Sequence, residues 1–164
     1  MLALVLVVGA VVVVWWVRRP VEIRSYDLSA TDRAACQAFV DDLPDSLADQ
    51  DRVDVRPDDA LGAAYGDPAI VVTCGVPVPD GFDQTSRCDE VNGIGWYIPD
   101  GSDNDRSVDL RLAAAGFRPV VEVVVPADLR PSARNLGDDT TAAVLATLAP
   151  IVGKHLRQEQ RCDG

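Results

Sequence analysis

The sequence predicts an α+β domain, with a largely antiparallel sheet of about four to six strands and an N-terminal and a C-terminal helix packed on one face. Three observations predict it. Apolar residues recur at helical spacing near both ends of the polar region, whereas short segments between them alternate apolar and polar residues. An uncharged apolar run precedes the polar region, and it predicts a transmembrane helix before the domain.

The apolar run divides the 164-residue chain into three parts. We predict a transmembrane anchor at residues 1–19, a linker at residues 20–28 and one disulfide-stapled domain at residues 29–164. The uncharged run from Leu2 to Val17 rises about 24 Å as a helix, slightly less than a hydrocarbon core of about 30 Å. A cleaved signal peptide needs small residues at its cleavage site, and the "WWVRRPVEI" at the end of the run has none. The sequence therefore favours an uncleaved anchor that holds the chain in a membrane.

The first helix of the domain is predicted from its N-terminal cap. Ser29 and Asp32 fit a capping box, and Leu28 lies where a hydrophobic staple would pack. Apolar residues then recur at helical spacing: Cys36, Phe39, Val40 and Leu43. We expect the helix to end at Pro44, because proline cannot continue a helix.

Strands are predicted between the two helices. An Asp-rich turn at residues 41–51 precedes a short strand at residues 52–57, and residues 56–68 are expected to connect it to the next strand. The strongest strand signal is Ala69–Val76, in which one face carries Ile70, Val72 and Cys74. Prolines bound this strand on both sides, since proline donates no backbone hydrogen bond to a sheet.

The second half of the domain predicts a hairpin and a long helix. Asn92-Gly93 is either a tight hairpin turn or an interruption in one longer strand. Residues 107–113 and 119–126 are expected to pair as antiparallel strands. From Leu136 onward an apolar stripe recurs at helical spacing, and Pro150 should kink or split this helix. Two acidic residues suit the N-terminus of that helix, and they are Asp138 and Asp139.

Four cysteines lie in the polar region, and they are Cys36, Cys74, Cys88 and Cys162. Their spacing matches no zinc pattern and contains no CxxC motif, so metal and thiol redox chemistry are disfavoured. An even set suits disulfides, which persist in oxidising compartments. Three pairings are open. We prefer Cys36 with Cys74, which would join the first helix to the main strand, and Cys88 with Cys162, which would tie the C-terminal tail to the sheet.

The orientation of the chain in the membrane depends on two opposed signals. Arg18 and Arg19 follow the apolar run, and the positive-inside rule would keep the following domain in the cytoplasm. The cysteine set indicates an oxidising compartment instead. We give more weight to the cysteines and predict a single-pass protein of the cell membrane with its domain on the extracytoplasmic side.

Four segments resemble an actinobacterial family catalogued as domain of unknown function 3515 (DUF3515). They are "C..F...LP" from Cys36, "YGDPAIVVTCGVP" from Tyr65, "CDEVNGIGW" from Cys88 and "VVEVVVP" from Val120. The resemblance covers most of residues 33–126, and it implies an N-terminally anchored or secreted envelope protein of one small domain. The resemblance implies no activity, no cofactor and no catalytic residue.

The chain departs from the pattern of that family at two positions. Tyr65 stands before Gly-Asp-Pro where the family pattern has Trp, and Gly95 stands before Trp96 where it has Asp.

Four residues are candidates for binding, and they are Asp67, Trp96, Arg111 and Arg118. Asp67 lies in a predicted loop, and loops carry function more often than strands do, although Asp before Pro also forms ordinary turns. Trp96 is more typical of core packing than of a ligand platform. The two arginines are expected on the outer face of the last hairpin together with Glu122, where a solvated polar face is the plainer interpretation.

Two further motifs receive a plain interpretation. His155 is the single histidine, and we expect a solvated helix residue because no nucleophile motif accompanies it. The acidic loop of Asp100, Asp103 and Asp105 lacks the spacing of a calcium loop, so an ordinary polar turn is favoured. We predict no metal and no cofactor.

Charge narrows the function classes. The formal net charge is −11, and a surface this acidic repels the phosphate backbone of nucleic acids. We predict an extracytoplasmic binding or assembly module that is not catalytic, whose partner is an envelope protein or a small ligand. Two alternatives stay open: a hydrolase or transferase acting on cell-wall precursors, in which Asp67 and His155 would meet in one cleft, and a structural subunit of a membrane complex.

Overall fold

The computed structural model describes residues 20–99, 105–130 and 140–162. The predicted anchor at Leu2–Val17 lies outside these residues. Within them, no helix combines the length and the apolar character that crossing a membrane requires.

Two α-helices, one 3-10 helix and a set of short strands form the described part of the chain. The helices are α1 (Ala30–Asp41), α2 (Thr140–His155) and a 3-10 turn at Ala127–Leu129. The strands are β1 (Val21–Glu22), β2 (Ser46–Leu47), β3 (Gln50–Val53), β4 (Val55–Arg56), β5 (Gly62–Tyr65), β6 (Ile70–Val76), β7 (Cys88–Val91), β8 (Ile94–Tyr97), β9 (Leu110–Ala113), β10 (Phe117–Arg118), β11 (Val120–Val125) and β12 (Arg157–Gln158).

The strands assemble into one large sheet and two small ones. The large sheet has eight strands in the order β2-β3-β5-β6-β11-β9-β8-β7, and all its pairs are antiparallel. β1 pairs with β4 in parallel, and β10 pairs with β12 antiparallel. The predicted mixed α+β class with a large antiparallel sheet is thus confirmed, as is the pairing of β9 with β11.

The predicted number of strands, four to six, is wrong, because the large sheet has eight. β2 lies in the predicted turn at residues 41–51, and β5 lies in the predicted connection at residues 56–68. The run Gly62-Ala63-Ala64 has low strand propensity, but tight pairing with β6 overrides it. A Cβ atom at Gly62 would lie 2.3 Å from the carbonyl oxygen of Val72, so the strands approach as closely as only glycine allows.

The two helices follow the sequence signals closely, with one difference. The Ser29 side chain accepts a hydrogen bond from the Asp32 amide at 3.1 Å and donates one to the Asp32 carboxylate at 2.8 Å, so the predicted cap is present. α2 is continuous through Pro150, which excludes the predicted split at that residue. Asp138 and Asp139, predicted for its N-terminus, lie outside the described residues.

Both helices contribute to one apolar cluster with the sheet. α1 supplies Cys36, Phe39 and Val40, α2 supplies Val144, Leu145, Leu148, Ala149 and Val152, and the strands supply residues such as Ile70, Val72, Val121 and Val123. Trp96, Tyr65 and Phe39 are its largest fully buried side chains. The Tyr65 hydroxyl donates to the Pro44 carbonyl oxygen at 3.0 Å. Burial of this phenol raises its pKa.

A second, smaller apolar cluster lies at the end of β6, where the side chains of the strand turn to the other face of the sheet. Gly75 has φ +85°, and the pairing of β6 with β11 shifts register between Val120 and Val121. Val76 therefore leaves the main cluster and joins a second set with Tyr97, Ala113, Ala115 and Val120. The Cys-Gly-Val segment of the sequence is thus a bulge in the sheet, and its glycine supplies the left-handed conformation.

The cysteines lie at disulfide distance in the two preferred pairs. The Cα atoms of Cys36 and Cys74 are 5.5 Å apart, and those of Cys88 and Cys162 are 5.8 Å apart. No cysteine is free. The first pair joins α1 to β6, and the second ties the C-terminal tail to the edge strand β7. Between β7 and β8, Asn92 and Gly93 have φ of 50° and 79°, which identifies a tight hairpin turn and excludes one longer strand.

Candidate binding cleft

A polar cleft of about 180 Å³ opens beside the Cys36–Cys74 pair. Four segments form its walls: the chain after β1, the first turn of α1, the loop before β5 and the strand β6. The lining residues are Arg24, Ser25, Tyr26, Asp27, Arg33, Asp59, Leu61 and Cys74. The cleft therefore combines charged walls with a disulfide-bonded cysteine, at a point where four separate parts of the chain meet.

Backbone pairing fixes the wall that follows β1. The Val21 amide donates to the Asp54 carbonyl oxygen and the Ile23 amide donates to that of Arg56, both at 2.8 Å. Ile23 is buried, so the segment is held by packing as well as by hydrogen bonds. Within the predicted linker at residues 20–28, this pairing and packing position the residues that follow and line the cleft.

Four charged side chains line the cleft without neutralising one another. Arg24 and Arg33 are cationic, Asp27 and Asp59 are anionic, and all four residues are exposed. None of them forms an ion pair with any residue in the described ranges. The Arg24 guanidinium lies 5.9 Å from the centroid of the Tyr26 ring, close enough for a cation–π contact. The cleft thus offers separated positive and negative groups to a ligand.

A second depression, of about 410 Å³, adjoins the cleft through Arg24. It is lined by Glu22, Ile23, Arg24, Arg56 and Pro57. Glu22 and Arg56 are direct neighbours in the β1–β4 pairing, so charges of both signs continue along this edge. The arginine between the two depressions is the residue that both share.

A third groove, of about 310 Å³, lies beside the Cys88–Cys162 pair, and its lining includes Gly93, Gly95 and Gly116. The amides of Glu159 and Gln160 both donate to the Gly116 carbonyl oxygen, at 2.9 and 3.2 Å. A Cβ atom at Gly95 would lie 3.1 Å from the Cys162 sulfur. The tail therefore packs closely on Gly95, the position where the family pattern has Asp.

A charge cluster joins the C-terminal ends of the two helices. The Asp42 carboxylate bonds the Lys154 ammonium, and its Oδ2 atom lies 2.7 Å from His155 Nε2. The Lys154 hydrogen bond, followed by that of His155, lowers the pKa of Asp42. Asp42 and His155 are 113 residues apart in the sequence, so no local pattern could have predicted their contact. His155 was expected to be solvated, yet its side chain is only 15% exposed.

The four candidate residues from the sequence do not line the cleft. Asp67 is exposed in the turn between β5 and β6, and Trp96 is fully buried in the main cluster. Arg111 pairs with Glu122 at 3.1 Å, as two neighbours on one sheet face. Arg118 donates to the Ala115 and Phe117 carbonyl oxygens, at 2.7 and 2.8 Å. It also forms an ion pair with Glu159 at 3.4 Å. These residues belong to separate surroundings and form no common site.

The acidic loop contributes one described residue, Asp105. Its Oδ1 atom accepts hydrogen bonds from the Ser107 amide at 2.9 Å and from the Ser107 hydroxyl at 2.6 Å, and these lower the pKa of Asp105. Asp100 and Asp103 lie outside the described residues. In the part of the chain that the structure describes, no group of His, Cys, Asp and Glu side chains is arranged to hold a metal ion.

We expect the Asp42 carboxyl to titrate below its ordinary pKa of 3.8. Its contribution to stability is fully present above that ordinary value and is lost as the pH falls through the lower pKa of the folded state. Lys154→Met removes the main cause, so the pKa of Asp42 should rise towards 3.8. Carboxyl ¹³C NMR titration measures this. Asp83, whose pKa is lowered by hydrogen bonds from Thr85, is the internal control and should not move. A wild-type Asp42 that titrates at or above 3.8 contradicts the geometry.

Comparison with known proteins adds one finding. No curated protein matches the chain, and no solved structure matches it. The model of one protein family matches residues 1–160, a range that includes the apolar N-terminal run, the cleft residues and both sheet edges. The chain belongs to the family described as "Protein of unknown function (DUF3515)".

Proposed function

We propose that this protein is an envelope-anchored, extracytoplasmic binding module of the kind that the resemblance to actinobacterial envelope proteins implies. Residues 2–17 hold it in the cell membrane as a single-pass anchor, and the cleft beside Cys74 is its binding site. The observation that carries the proposal is the charged cleft, one wall of which is the segment after β1, a short distance along the chain from the apolar run. Its ligand is a small molecule or a segment of another envelope protein.

The arrangement of the cysteines supports the extracytoplasmic side. All four are paired at disulfide distance, and such pairs persist in oxidising compartments. Arg18 and Arg19 are then interfacial residues that reach into the headgroups instead of signals that retain the domain inside.

The start of the domain supports the anchor. β1 begins at Val21, four residues after the apolar run ends at Val17. Four residues span at most about 14 Å, so an anchor in the bilayer holds the domain at the membrane surface. We further propose that α1 and α2 cover the same face of the sheet, since both contribute to one apolar cluster. The sheet then forms a stable support for the cleft.

The catalytic alternative receives less support from the geometry. It needs Asp67 and His155 in one cleft with a substrate, and neither residue lines any of the three depressions described above. His155 is engaged with Asp42 instead. A binding role uses the residues that do line the cleft.

Intact mass spectrometry of the full chain from its native envelope tests the proposal. We expect no alkylation of thiols before reduction and four alkylated thiols after it, because both disulfides form outside the cytoplasm. We also expect the chain to remain in the membrane fraction after washing with alkaline carbonate. Alkylation of all four cysteines without reduction would place the domain in the cytoplasm, and release by carbonate would refute the anchor.

A further inference from the structure

We propose that the cleft binds a zwitterionic phosphoethanolamine headgroup of a membrane lipid. The proposal rests on the envelope-anchored binding role and names its ligand. The chemistry required is one phosphate and one ammonium group in the same small ligand. The cleft supplies groups for both, and its place in the chain keeps it near the bilayer.

The arginines are the groups of the cleft that receive the phosphate. Arg24 and Arg33 come from different segments and face the same cleft, and neither is occupied by a carboxylate among the described residues. Guanidinium groups bind phosphate oxygens through strong, directional hydrogen bonds. Ser25 and Tyr26 add hydroxyl donors to the same lining.

The carboxylates are the groups that receive the ammonium. Asp27 and Asp59 line the cleft and have no cationic partner in the described ranges, although two arginines line the same space. The opposite charges therefore share a cleft without pairing directly. A ligand that carries a cation and an anion satisfies both sets at once, whereas a simple anion leaves two carboxylates facing it.

The short connection to the apolar run favours a lipid headgroup over a soluble zwitterion. Arg24 lies seven positions after Val17, and seven positions span at most about 25 Å even when fully extended. β1 lies within this connection and is paired to β4, which fixes its direction. The cleft is therefore tethered close to the interface, where lipid headgroups are concentrated.

The binding test uses the full chain in a nonionic detergent and ³¹P NMR of soluble headgroup probes. We expect line broadening for glycerophosphoethanolamine and much less for glycerophosphoglycerol, which lacks the ammonium. Glycerophosphocholine should also bind weakly, because its quaternary ammonium cannot donate hydrogen bonds to Asp27 and Asp59. Equal broadening of all three probes would overturn the assignment, because the carboxylates would then play no part.

Substitutions on each side of the cleft supply the second measurement. Arg33→Gln and Asp59→Asn should each weaken glycerophosphoethanolamine binding roughly tenfold, since each removes a hydrogen bond to a charged group. Asp58→Asn and Arg87→Gln are matched controls, because both residues are exposed and neither lines the cleft. Equal losses in the controls would show that only general charge is sensed and would overturn the proposal.

Two further experiments distinguish a lipid headgroup from a soluble zwitterion, and the ligand assignment from the anchored binding role on which it rests. If free alanine competes with glycerophosphoethanolamine at equal concentration, the cleft binds amino-acid zwitterions and the headgroup assignment is wrong. In nanodiscs of phosphatidylcholine, adding phosphatidylethanolamine should protect Arg24 and Arg33 from phenylglyoxal, while Arg87 stays reactive. Absent protection in a chain that keeps both disulfides and resists carbonate refutes only the ligand. Loss of those two properties refutes the anchored binding role itself.

Discussion

Replacing Cys36 and Cys74 together by alanine is expected to lower the free energy of unfolding by at least about 4 kcal/mol. The pair closes a loop of 38 residues, and the chain-entropy relation gives about that value. Both side chains are also buried, at 0% and 2% exposure, so the double variant loses core contacts as well. Urea unfolding of the full chain, monitored by circular dichroism, measures the change.

The second pair is the matched control for this experiment. Cys88 and Cys162 enclose a longer separation of 74 residues, so chain entropy alone predicts a slightly larger loss, by roughly 0.5 kcal/mol. Both of these residues are only half-buried. If core packing around α1 and β6 contributes more than chain entropy, removing the Cys36–Cys74 pair lowers the free energy of unfolding more than removing the second pair does. A larger loss for Cys88→Ala with Cys162→Ala would show that packing around Cys36 and Cys74 contributes little.

The parts of the fold that were predicted from the sequence follow local rules. The α1 cap depends on two side chains three residues apart, and the Asn92-Gly93 turn depends on adjacent residues that tolerate positive φ. The strongest strand is an apolar run bounded by prolines, and six of its seven residues are buried. The preference for joining Cys36 to Cys74 used the same logic, since a helix stripe and a strand face must meet in a two-layer domain.

The parts that were not predicted depend on pairing between distant segments. β5 consists of small residues whose extended conformation is imposed by β6, and β1 becomes a strand only through β4. The Asp42–His155 contact joins residues from opposite ends of the domain, and the cleft is formed by four separate segments. Asp67 was a candidate because loops often carry function, and Trp96 was a candidate for which core packing was favoured. Neither rule says which surfaces of the fold meet.

Trp96→Ala is expected to lower the free energy of unfolding by about 3–5 kcal/mol, whereas Trp96→Phe should cost less than about 2 kcal/mol. Trp96 is fully buried in the main cluster, so alanine leaves a large cavity. The indole Nε1 atom is buried and has no hydrogen-bond partner in the described part of the chain. Phenylalanine keeps most of the aromatic packing and removes a buried donor that bonds to nothing, so part of the lost contact energy is offset.

The same pair of variants separates packing from binding at Trp96. If the residue acts only through the core, Trp96→Phe unfolds in one cooperative transition and binds glycerophosphoethanolamine as the wild type does, because the indole lies outside the cleft. A Trp96→Phe variant as unstable as Trp96→Ala would mean that the indole nitrogen has an acceptor after all. A folded Trp96→Phe chain that no longer binds glycerophosphoethanolamine would instead show that Trp96 belongs to the binding site, which contradicts the cleft as the site.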